Sequence, residues 1–390
     1  MGGRNLNLNG YLKITIAALF SLFAFSDKLH GQFIPDGVNI GTDYSFVPVL
    51  GYTSDIGLFG GGVMQRINYR LNEQPFHSLT SFQALVTTRR NFITKIDYER
   101  VNSFGSDIRS RFLFEGQRIR SDTFFGIGNT TTFSTDEYDE GNFYYENRSV
   151  DFRYWGRKSL SRIGENGTLD GQFLATISYN DPVSRGDHTI FSQLPPPGGG
   201  GGWVNQLGFG IILESRDSEF IPTSGIRFET GIGRSTSLLG SDFSFTRFRT
   251  EARAYYSPIR NVVIAQKIEF DYTSGNTPFW ELPVVGSNDG LRGYALNRFR
   301  GDSSILHIIE LRSWLFSFLD DYIRVGAQTF MDTGRVFSGE DSFGDITSDL
   351  KQTYGFGGAF SFFNPDLFFR ADIAFSEDLY RIYFGFGYLF

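Results

Sequence analysis

An arginine beside a glycine is the strongest candidate for chemistry in this sequence. Arg292 stands before Gly293 and Tyr294, near the end of a long connector, residues 274–303. Glycine allows backbone angles that other residues avoid, and the rigid fork of a guanidinium binds a carboxylate through two parallel hydrogen bonds. Farther along the chain, Asp332 supplies such a carboxylate. The pair can form only if the fold turns Asp332 and the connector toward the same interior.

Other reactive side chains are few and scattered. The chain has four His and no Cys, which removes disulfides and thiol-ligated metals from consideration. Ser303, Ser304 and Ser313 surround His307 in the sequence, but an acyl-transfer site needs a serine and a histidine within hydrogen-bond reach on adjoining strands. No acyl-transfer motif accompanies them. We therefore expect no enzyme activity, no metal and no other cofactor.

The composition favours strands over helices. Of 390 residues, 43 are Phe, 19 are Tyr and 46 are Gly, whereas only 12 are Pro. Aromatic and glycine enrichment of this kind is typical of a protein with many strands. The net charge of −7 disfavours nucleic acid as a partner, because phosphate backbones attract basic surfaces.

Apolar and polar residues alternate with period two through most of the C-terminal half. In the segment 322–332, one face is apolar, and the other carries charged and polar residues that include Asp332. Apolar-out and polar-in over about ten residues per strand is the pattern of a transmembrane barrel, and lipid-facing strands must close because every backbone group needs a partner. By the same parity, Glu310 and Arg312 share the inner face with Asp332. A soluble barrel or sandwich is the alternative, with the apolar face inside.

The strand count predicts the architecture. Sixteen strands are expected, an even number as is usual for bacterial barrels, and short connectors alternate with longer ones as periplasmic turns do with external loops. The predicted strands are 56–69, 78–88, 92–101, 107–119, 122–132, 142–156, 169–180, 204–216, 225–236, 243–256, 262–273, 304–316, 322–332, 351–362, 366–376 and 379–390. The fold class is therefore an all-β, 16-stranded antiparallel transmembrane β-barrel whose sixth external loop folds inward.

The N-terminus has the order of a secretory signal peptide. Two basic residues precede the apolar run 14–25, and a short polar stretch follows. This order of charged, apolar and polar regions is typical of an export signal. We predict a signal peptide over 1–31, a short periplasmic leader over 32–53 and an outer-membrane barrel over 54–390.

Several segments resemble motifs of one family. The segments 291–294 (Leu-Arg-Gly-Tyr) and 298–301 (Arg-Phe-Arg-Gly) together resemble the loop-six motif of the outer-membrane protein assembly superfamily, which includes BamA, TamA, two-partner-secretion transporters and bacterial surface antigen barrels. The segment 330–337 resembles the partner motif on strand thirteen, and 214–217 is similar to the family's conserved turn, with Glu in the first acidic position. The matches span 48–390 in family order.

The resemblance implies roles for particular residues. Arg292 pairs with Asp332 inside the barrel, so that loop six is latched, and the first and last strands meet at a weak seam rich in glycine, with 60–62 in the first strand. The residues of the latch and the supporting lumen charges are Arg292, Gly293, Tyr294, Asp332, Gly334, Glu310, Arg312, Glu214 and Arg216. The C-terminal residues Gly385, Tyr388 and Phe390 resemble the signal that the outer-membrane assembly machinery reads.

The resemblance implies a function at the outer membrane of a Gram-negative cell. Family members that insert or secrete proteins carry periplasmic polypeptide-transport-associated domains, and the predicted leader is too short for one. We expect insertion or translocation of protein or lipid at the seam, in contact with outer-membrane lipid, with a periplasmic partner or as a homodimer. Two alternatives stay open: a passive channel, favoured by inward charges of both signs such as Arg247 and Glu251, and a surface-exposed structural barrel.

Overall fold

The described residues fold into a β-barrel with two short helices in its connectors. The computed structural model describes residues 40–390 except 72, 165–166, 220, 287–289, 320–321, 340, 342–346 and 363–367. The strands are β1 (Gly41–Thr53), β2 (Gly57–Arg70), β3 (Glu73–Thr87), β4 (Phe92–Ser103), β5 (Ile108–Thr123), β6 (Tyr144–Ile163), β7 (Gly167–Ser184), β8 (Gly202–Glu214), β9 (Gly225–Ser235), β10 (Phe245–Ile259), β11 (Val262–Gly275), β12 (Val284–Val285), β13 (Phe299–Arg300), β14 (Ser303–Phe318), β15 (Ile323–Phe337), β16 (Lys351–Phe362), β17 (Phe368–Phe375) and β18 (Tyr380–Phe386).

Sixteen of these strands form a closed antiparallel barrel in the described part of the chain. Each barrel strand pairs with its neighbours in sequence, and β11 pairs with β14 because β12 and β13 pair with each other inside the intervening connector, 276–302, which we call loop six. The barrel closes where β1 meets β18. The predicted fold class is confirmed.

Helical structure is confined to the connectors. The helices are α1 (Thr135–Glu140) and α2 (Ile190–Gln193), and single 3-10 turns occur at Ser237–Leu239 and Phe279–Glu281. Across the described ranges, every helix falls short of the length and apolarity needed to span a membrane.

The barrel strands have an apolar outer face and a polar inner face. In β14, Leu311 on the outer face is 47% exposed, whereas Glu310 and Arg312 on the inner face are buried. An apolar core also exists inside the barrel, where Leu291 and Tyr294 of loop six pack against the inner wall. Loop six is therefore part of the interior, as the sequence predicts.

The connectors differ at the two ends of the barrel. Long connectors, 124–143, 185–201 and loop six, meet at one end, which we call the long-loop end. There, Phe124, Phe191 and Phe279 pack edge to face with ring centroids 5.5 to 6.0 Å apart. We call the opposite end, with turns such as 260–261, the short-turn end. The aromatic contacts tie three connectors into one cap over the barrel.

The first barrel strand lies earlier than the sequence indicated. The predicted leader, 32–53, contains β1 (Gly41–Thr53), which pairs with β2 along its whole length. Pro48 weakens the strand pattern because proline cannot donate to a ladder and is confined to edge strands. β1 tolerates it since most of its other side has no ladder partner. The predicted signal peptide, 1–31, lies outside the described residues.

The predicted strand 122–132 is wrong. β5 ends at Thr123, and the chain then enters a connector in which Gly126 and Gly128 have φ of +100° and +126°. These backbone angles break an extended strand. Phe124 and Phe125 belong instead to the cap at the long-loop end. One missed strand and one surplus strand cancel, so the predicted total of sixteen still holds.

The last strand ends before the predicted boundary at 390. β18 stops at Phe386, and Gly387 turns the chain with φ of +71°, a left-handed angle that favours glycine. Tyr388 and Phe390 therefore do not continue the alternation onto the lipid face. Phe390 is buried inside the barrel.

The glycine triplet 60–62, expected in the first strand, lies in β2 and allows close approach of its neighbours. A Cβ atom added at Gly61 would lie 2.0 Å from the carbonyl oxygen of Ala84 in β3. At Gly60 the nearest atom is a side-chain carbon of Leu50, at an ordinary 3.7 Å. Sterics therefore require glycine at Gly61 and permit a methyl group at Gly60.

We expect Gly61→Ala to destabilise the barrel by about 1–3 kcal/mol, because β2 and β3 must separate to admit the methyl group. The measurement is the temperature at which the folded, faster-migrating form disappears in detergent gels of unheated samples. Gly60→Ala is the matched control and leaves that temperature unchanged. Equal losses in both variants would contradict this account.

Candidate functional site

The tip of loop six is bound to the barrel wall by one side-chain pair. Arg292 donates from Nε to Asp332 Oδ2 at 2.9 Å and from Nη2 to Oδ1 at 2.7 Å. Its backbone N–H donates to Oδ2 as well, at 2.9 Å. Both side chains are fully buried, with 0% exposure. Three hydrogen bonds to one carboxylate thus fix the loop against β15.

The two residues that flank Arg292 both have positive φ angles. Gly293 has φ of +102°, and a Cβ there would lie 2.9 Å from the backbone carbon of Phe375 at the end of β17. Leu291 also has a positive φ, of 54°, and its side chain is buried. Gly334 lies two residues beyond Asp332 and pairs with Leu306 of β14. The turn therefore fits between β17 and the β14–β15 ladder only with glycine at 293.

A second carboxylate and an aromatic ring complete the surroundings of the guanidinium. Nη1 of Arg292 lies 2.6 Å from Oε1 of Glu310, an ion pair that lacks the angle of a hydrogen bond. The ring of Phe330 lies under the guanidinium, 3.4 Å from its central carbon. Burial by itself lowers the pKa of Arg292, but the facing carboxylates of Asp332 and Glu310 outweigh it and raise that pKa above its ordinary value. Arg292 is therefore a permanent cation.

The charge network continues from Glu310 to the end of the chain. Arg312 binds Oε2 of Glu310 at 2.8 Å, and its Nη2 donates to the carbonyl oxygen of Phe390 at 3.0 Å. The guanidinium of Arg312 also stacks on the rings of Tyr388 at 4.0 Å and Phe390 at 4.8 Å. Glu310 thus lies between two arginines, one holding loop six and the other holding the C-terminal residues.

The remaining predicted site residues lie in different parts of the barrel, some near the latch and some at the short-turn end. Tyr294 is buried in loop six and packs edge to face on Phe299, with ring centroids 5.1 Å apart. Glu214 and Arg216 form a separate bidentate pair just after β8, with two contacts of 2.7 Å. Gly385 pairs with Arg370 across the β17–β18 ladder. The structure therefore brings Glu310 and Arg312 to the latch but leaves Glu214 and Arg216 at the short-turn end.

Comparison with known families identifies the barrel. Residues 87–390, which make up more than half of the chain, match the Omp85 superfamily domain. The chain belongs to the Omp85 superfamily. No curated protein sequence matches it.

Solved structures show the same fold at low sequence identity. The Omp85 chain is similar to the crystal structure of BamA from Haemophilus ducreyi lacking POTRA domains 1–3, with a TM-score of 0.58 and 14% identity over 89% of this chain and 70% of that one. It is also similar to CdiB from Escherichia coli (TM-score 0.59, 12% identity, 87% of this chain, 62% of that chain) and to CdiB from Acinetobacter baumannii (0.53, 10%, 88%, 59%). The chain thus spans less than two thirds of either CdiB chain.

Sequence reasoning missed a residue that links the latch of this Omp85 barrel to its seam. The hydroxyl of Tyr383 accepts a hydrogen bond from the backbone N–H of Gly293 at 3.1 Å. The same residue forms the ladder pair with Thr53 of β1. Tyr383 stands at an inward position of the last strand, so the alternation pattern places it in the lumen, but nothing in that pattern indicates a partner in loop six.

Two further arginines of loop six bind its surroundings, through partners that the sequence did not indicate. Arg298 donates to Asp378 at 2.6 Å and to the backbone oxygen of Thr131 at 2.8 Å, so it joins loop six to two other connectors. Arg300 is buried, and its carbonyl oxygen accepts from Gly128 at 2.7 Å. Both belong to the segment 298–301, which is part of the loop-six motif, and that membership is the available sequence signal.

We expect Asp332→Asn to release loop six, because the change leaves Arg292 with one carboxylate fewer in a buried site. Breaking a buried ion pair costs about 3–5 kcal/mol. The measurement is the rate at which added protease cleaves loop six in the detergent-purified barrel, which rises strongly in the variant.

Asp97→Asn is the control for this experiment, since Asp97 accepts at 2.9 Å from Nε of the half-exposed Arg111 on the barrel wall. An exposed pair of this type contributes about 1 kcal/mol or less. Loop cleavage in this variant stays at the wild-type rate. A protected loop in Asp332→Asn would show that the pair does not hold loop six.

Proposed function

We propose that this Omp85 barrel inserts or translocates protein or lipid at the outer membrane through the seam between β1 and β18. The observation that carries the proposal is the shortness of the seam. Within the described residues, β1 and β18 share the single ladder pair Thr53–Tyr383, whereas β1 pairs with β2 from Gly41 to Thr53. Most of β1 therefore presents unpaired backbone groups, which can add a strand from another chain.

The contacts that close the seam gather at one end of it. The backbone N–H of Ser54 donates to the oxygen of Ile382 at 3.1 Å, and the N–H of Ile382 donates to the Ser54 hydroxyl at 3.0 Å. Arg381 donates to the oxygen of Ser54 at 3.2 Å and to the hydroxyl of Tyr138 in α1 at 2.9 Å. All of these contacts are next to the β1–β2 turn, at the long-loop end. A few hydrogen bonds thus hold the two strands together.

The contact between loop six and β18 supports the proposal that loop six regulates the opening of the seam. Tyr383 contacts Gly293 on one side and pairs with Thr53 on the other. Movement of loop six therefore removes a hydrogen bond from the strand that forms the seam. Similarity of the barrel to BamA and CdiB supports the same proposal at the level of the fold.

The cellular setting belongs to the same proposal. The barrel resides in the outer membrane of a Gram-negative cell after export directed by the signal peptide at 1–31. The assembly machinery recognises Gly385, Tyr388 and Phe390 during insertion of the barrel. A periplasmic partner or a second copy of the chain delivers the cargo to the seam.

A reversible lock across the seam tests the proposal. The natural chain has no cysteine, so Thr53→Cys with Tyr383→Cys creates one defined disulfide between β1 and β18. In cells that lack the wild-type chain, we expect the oxidised double variant to fail and the reduced double variant to restore function. The measurements are quantitative mass spectrometry of outer-membrane proteins and lipid analysis of the same membranes.

The reduced and oxidised forms of one variant are the matched pair, because both lack the Tyr383 side chain. Tyr383→Cys alone shows the effect of losing its hydrogen bond to Gly293. Full function of the oxidised, crosslinked barrel would overturn the proposal that cargo passes through the seam.

Paired inner charges bear on the alternative of a passive channel. Arg247 donates to Asp271 at 3.0 Å, and Arg253 donates to Glu251 at 2.6 Å, so lumen charges of opposite sign neutralise each other. Loop six lies inside the barrel and is held there by Arg292. The arrangement favours a barrel that is closed to solutes at rest.

We expect the wild-type barrel to show little conductance in a planar bilayer, and Arg292→Ala to open it because loop six loses its anchor. Arg249→Ala removes another lumen arginine, one that has no contact with the described residues of loop six, and it leaves the conductance low. A wild-type pore that is open and insensitive to Arg292→Ala would favour the passive channel.

A further inference from the structure

We propose that an arginine-lined pocket on the outer side of the barrel, at the long-loop end, binds the phosphate-bearing headgroup of a membrane lipid. This inference goes beyond the proposed function, since the pocket is formed by residues of β3 to β7 and their connectors rather than by the strand edges of the seam.

The pocket is lined mainly by cationic and aromatic side chains. Its volume is about 380 Å³, within the range of small-ligand sites. Arg89, Arg90, Arg120 and Arg185 line it together with Tyr144, and Asp139 is the only acidic residue of the lining. Four guanidinium groups against one carboxylate make a site for an anion.

Three of the four arginines have no carboxylate partner among the described residues. Arg89 donates to the hydroxyl of Tyr144 at 2.6 Å and to the oxygen of Ser54 at 3.2 Å. Arg185 donates to the backbone oxygen of Arg120 at 3.1 Å. Arg89 and Arg185 also lie over the ring of Tyr144, at 5.6 and 5.8 Å. These neutral contacts position the guanidinium groups and leave their charge uncompensated.

The wall beside the pocket adds to the positive charge. Arg118, Arg120 and Arg148 all contact Glu146, at 2.8, 3.3 and 2.7 Å. Arg148 also lies 3.6 Å from Asp181, so three positive charges share two negative charges. A guanidinium presents a planar fork of donors that matches a phosphate group, so phosphate is the anion that this arrangement fits best.

The position of the arginines relative to the apolar outer face of the barrel indicates that the phosphate belongs to a lipid. Arg118 and Arg148 pair across the β5–β6 ladder and are each about half exposed on the outer face. Four residues farther into the strands, the same face carries Ile96, Phe114 and Phe152, which are 41–44% exposed. The arginines thus stand directly above a lipid-facing apolar band, where headgroups lie.

The pocket lies next to the arginines that contact Glu146, namely Arg118, Arg120 and Arg148. Arg120 follows Arg118 on the same face of β5, and it lines the pocket while contacting Glu146. A lipid whose acyl chains lie against the apolar band can therefore reach the pocket with its headgroup. A soluble phosphate lacks the contact with the band.

The test compares lipid binding by the wild-type barrel and by Arg90→Gln/Arg185→Gln. Both arginines are exposed and have no ion pair among the described residues, and apart from the contacts of Arg185 with Arg120 and Tyr144 the double variant keeps the contacts of the pocket. The probes are phosphatidic acid, phosphatidylcholine and glycerol 3-phosphate, each titrated into the detergent-purified barrel, with bound molecules counted by native mass spectrometry. We expect wild type to prefer phosphatidic acid, and the double variant to bind it at least about tenfold more weakly, because two charge-assisted contacts are lost.

Arg162→Gln/Arg234→Gln is the matched control, because it removes the same charge from exposed positions outside the pocket. Arg234 is on β9 near the long-loop end, and Arg162 is on β6 at the short-turn end. Heat-dependent migration in detergent gels verifies that each variant is folded. The control retains wild-type affinity for phosphatidic acid.

Three results would overturn the inference. The first is equal affinity of wild type and Arg90→Gln/Arg185→Gln for phosphatidic acid. The second is an equal loss in the control, which would make the binding a general effect of charge. The third is glycerol 3-phosphate binding as tightly as phosphatidic acid, which would assign the pocket to a soluble phosphate.

Discussion

A charge buried inside a barrel must be neutralised where it lies, and the interior of this protein is organised around that requirement. Arg292 is fully buried between the carboxylates of Asp332 and Glu310. Taking a guanidinium out of water is costly, so the pair is better understood as specifying one conformation than as adding stability. These contacts hold loop six inside the barrel, against β15. The position of the loop then determines what Tyr383 and the C-terminal residues can contact.

The neutralising groups also connect parts of the barrel that are far apart in sequence. Glu310 contacts Arg292 of loop six and Arg312, and Arg312 holds the carbonyl oxygen of Phe390. Displacing one arginine leaves the shared carboxylate paired with the other alone. The loop and the C-terminal residues are therefore energetically coupled through one side chain, without a direct contact between Arg292 and Phe390.

Period-two alternation predicted the parts of this structure that depend on which face a residue occupies. It placed Asp332, Glu310 and Arg312 in the lumen, because parity along a strand leaves only two choices. It failed where another constraint decides the path of the chain. Pro48 obscured β1, which accepts proline because it behaves as an edge strand, and Gly387 redirected the tail through a backbone angle that a residue pattern does not encode. The partners of Arg298 and Tyr383 depend on tertiary contacts between connectors, which no local pattern contains.

The uneven distribution of contacts along the seam has a geometric consequence. Thr53, Ser54 and Arg381 join β1 to β18 beside the β1–β2 turn, and the ladder contains no further pair toward the other end of β1 among the described residues. Two rods joined at one end separate as a wedge, with the joined end as the hinge. The gap is then widest at the short-turn end, so an entering segment meets the exposed edge of β1 there first, and it must separate the Thr53–Tyr383 pair before it can lie along the whole strand.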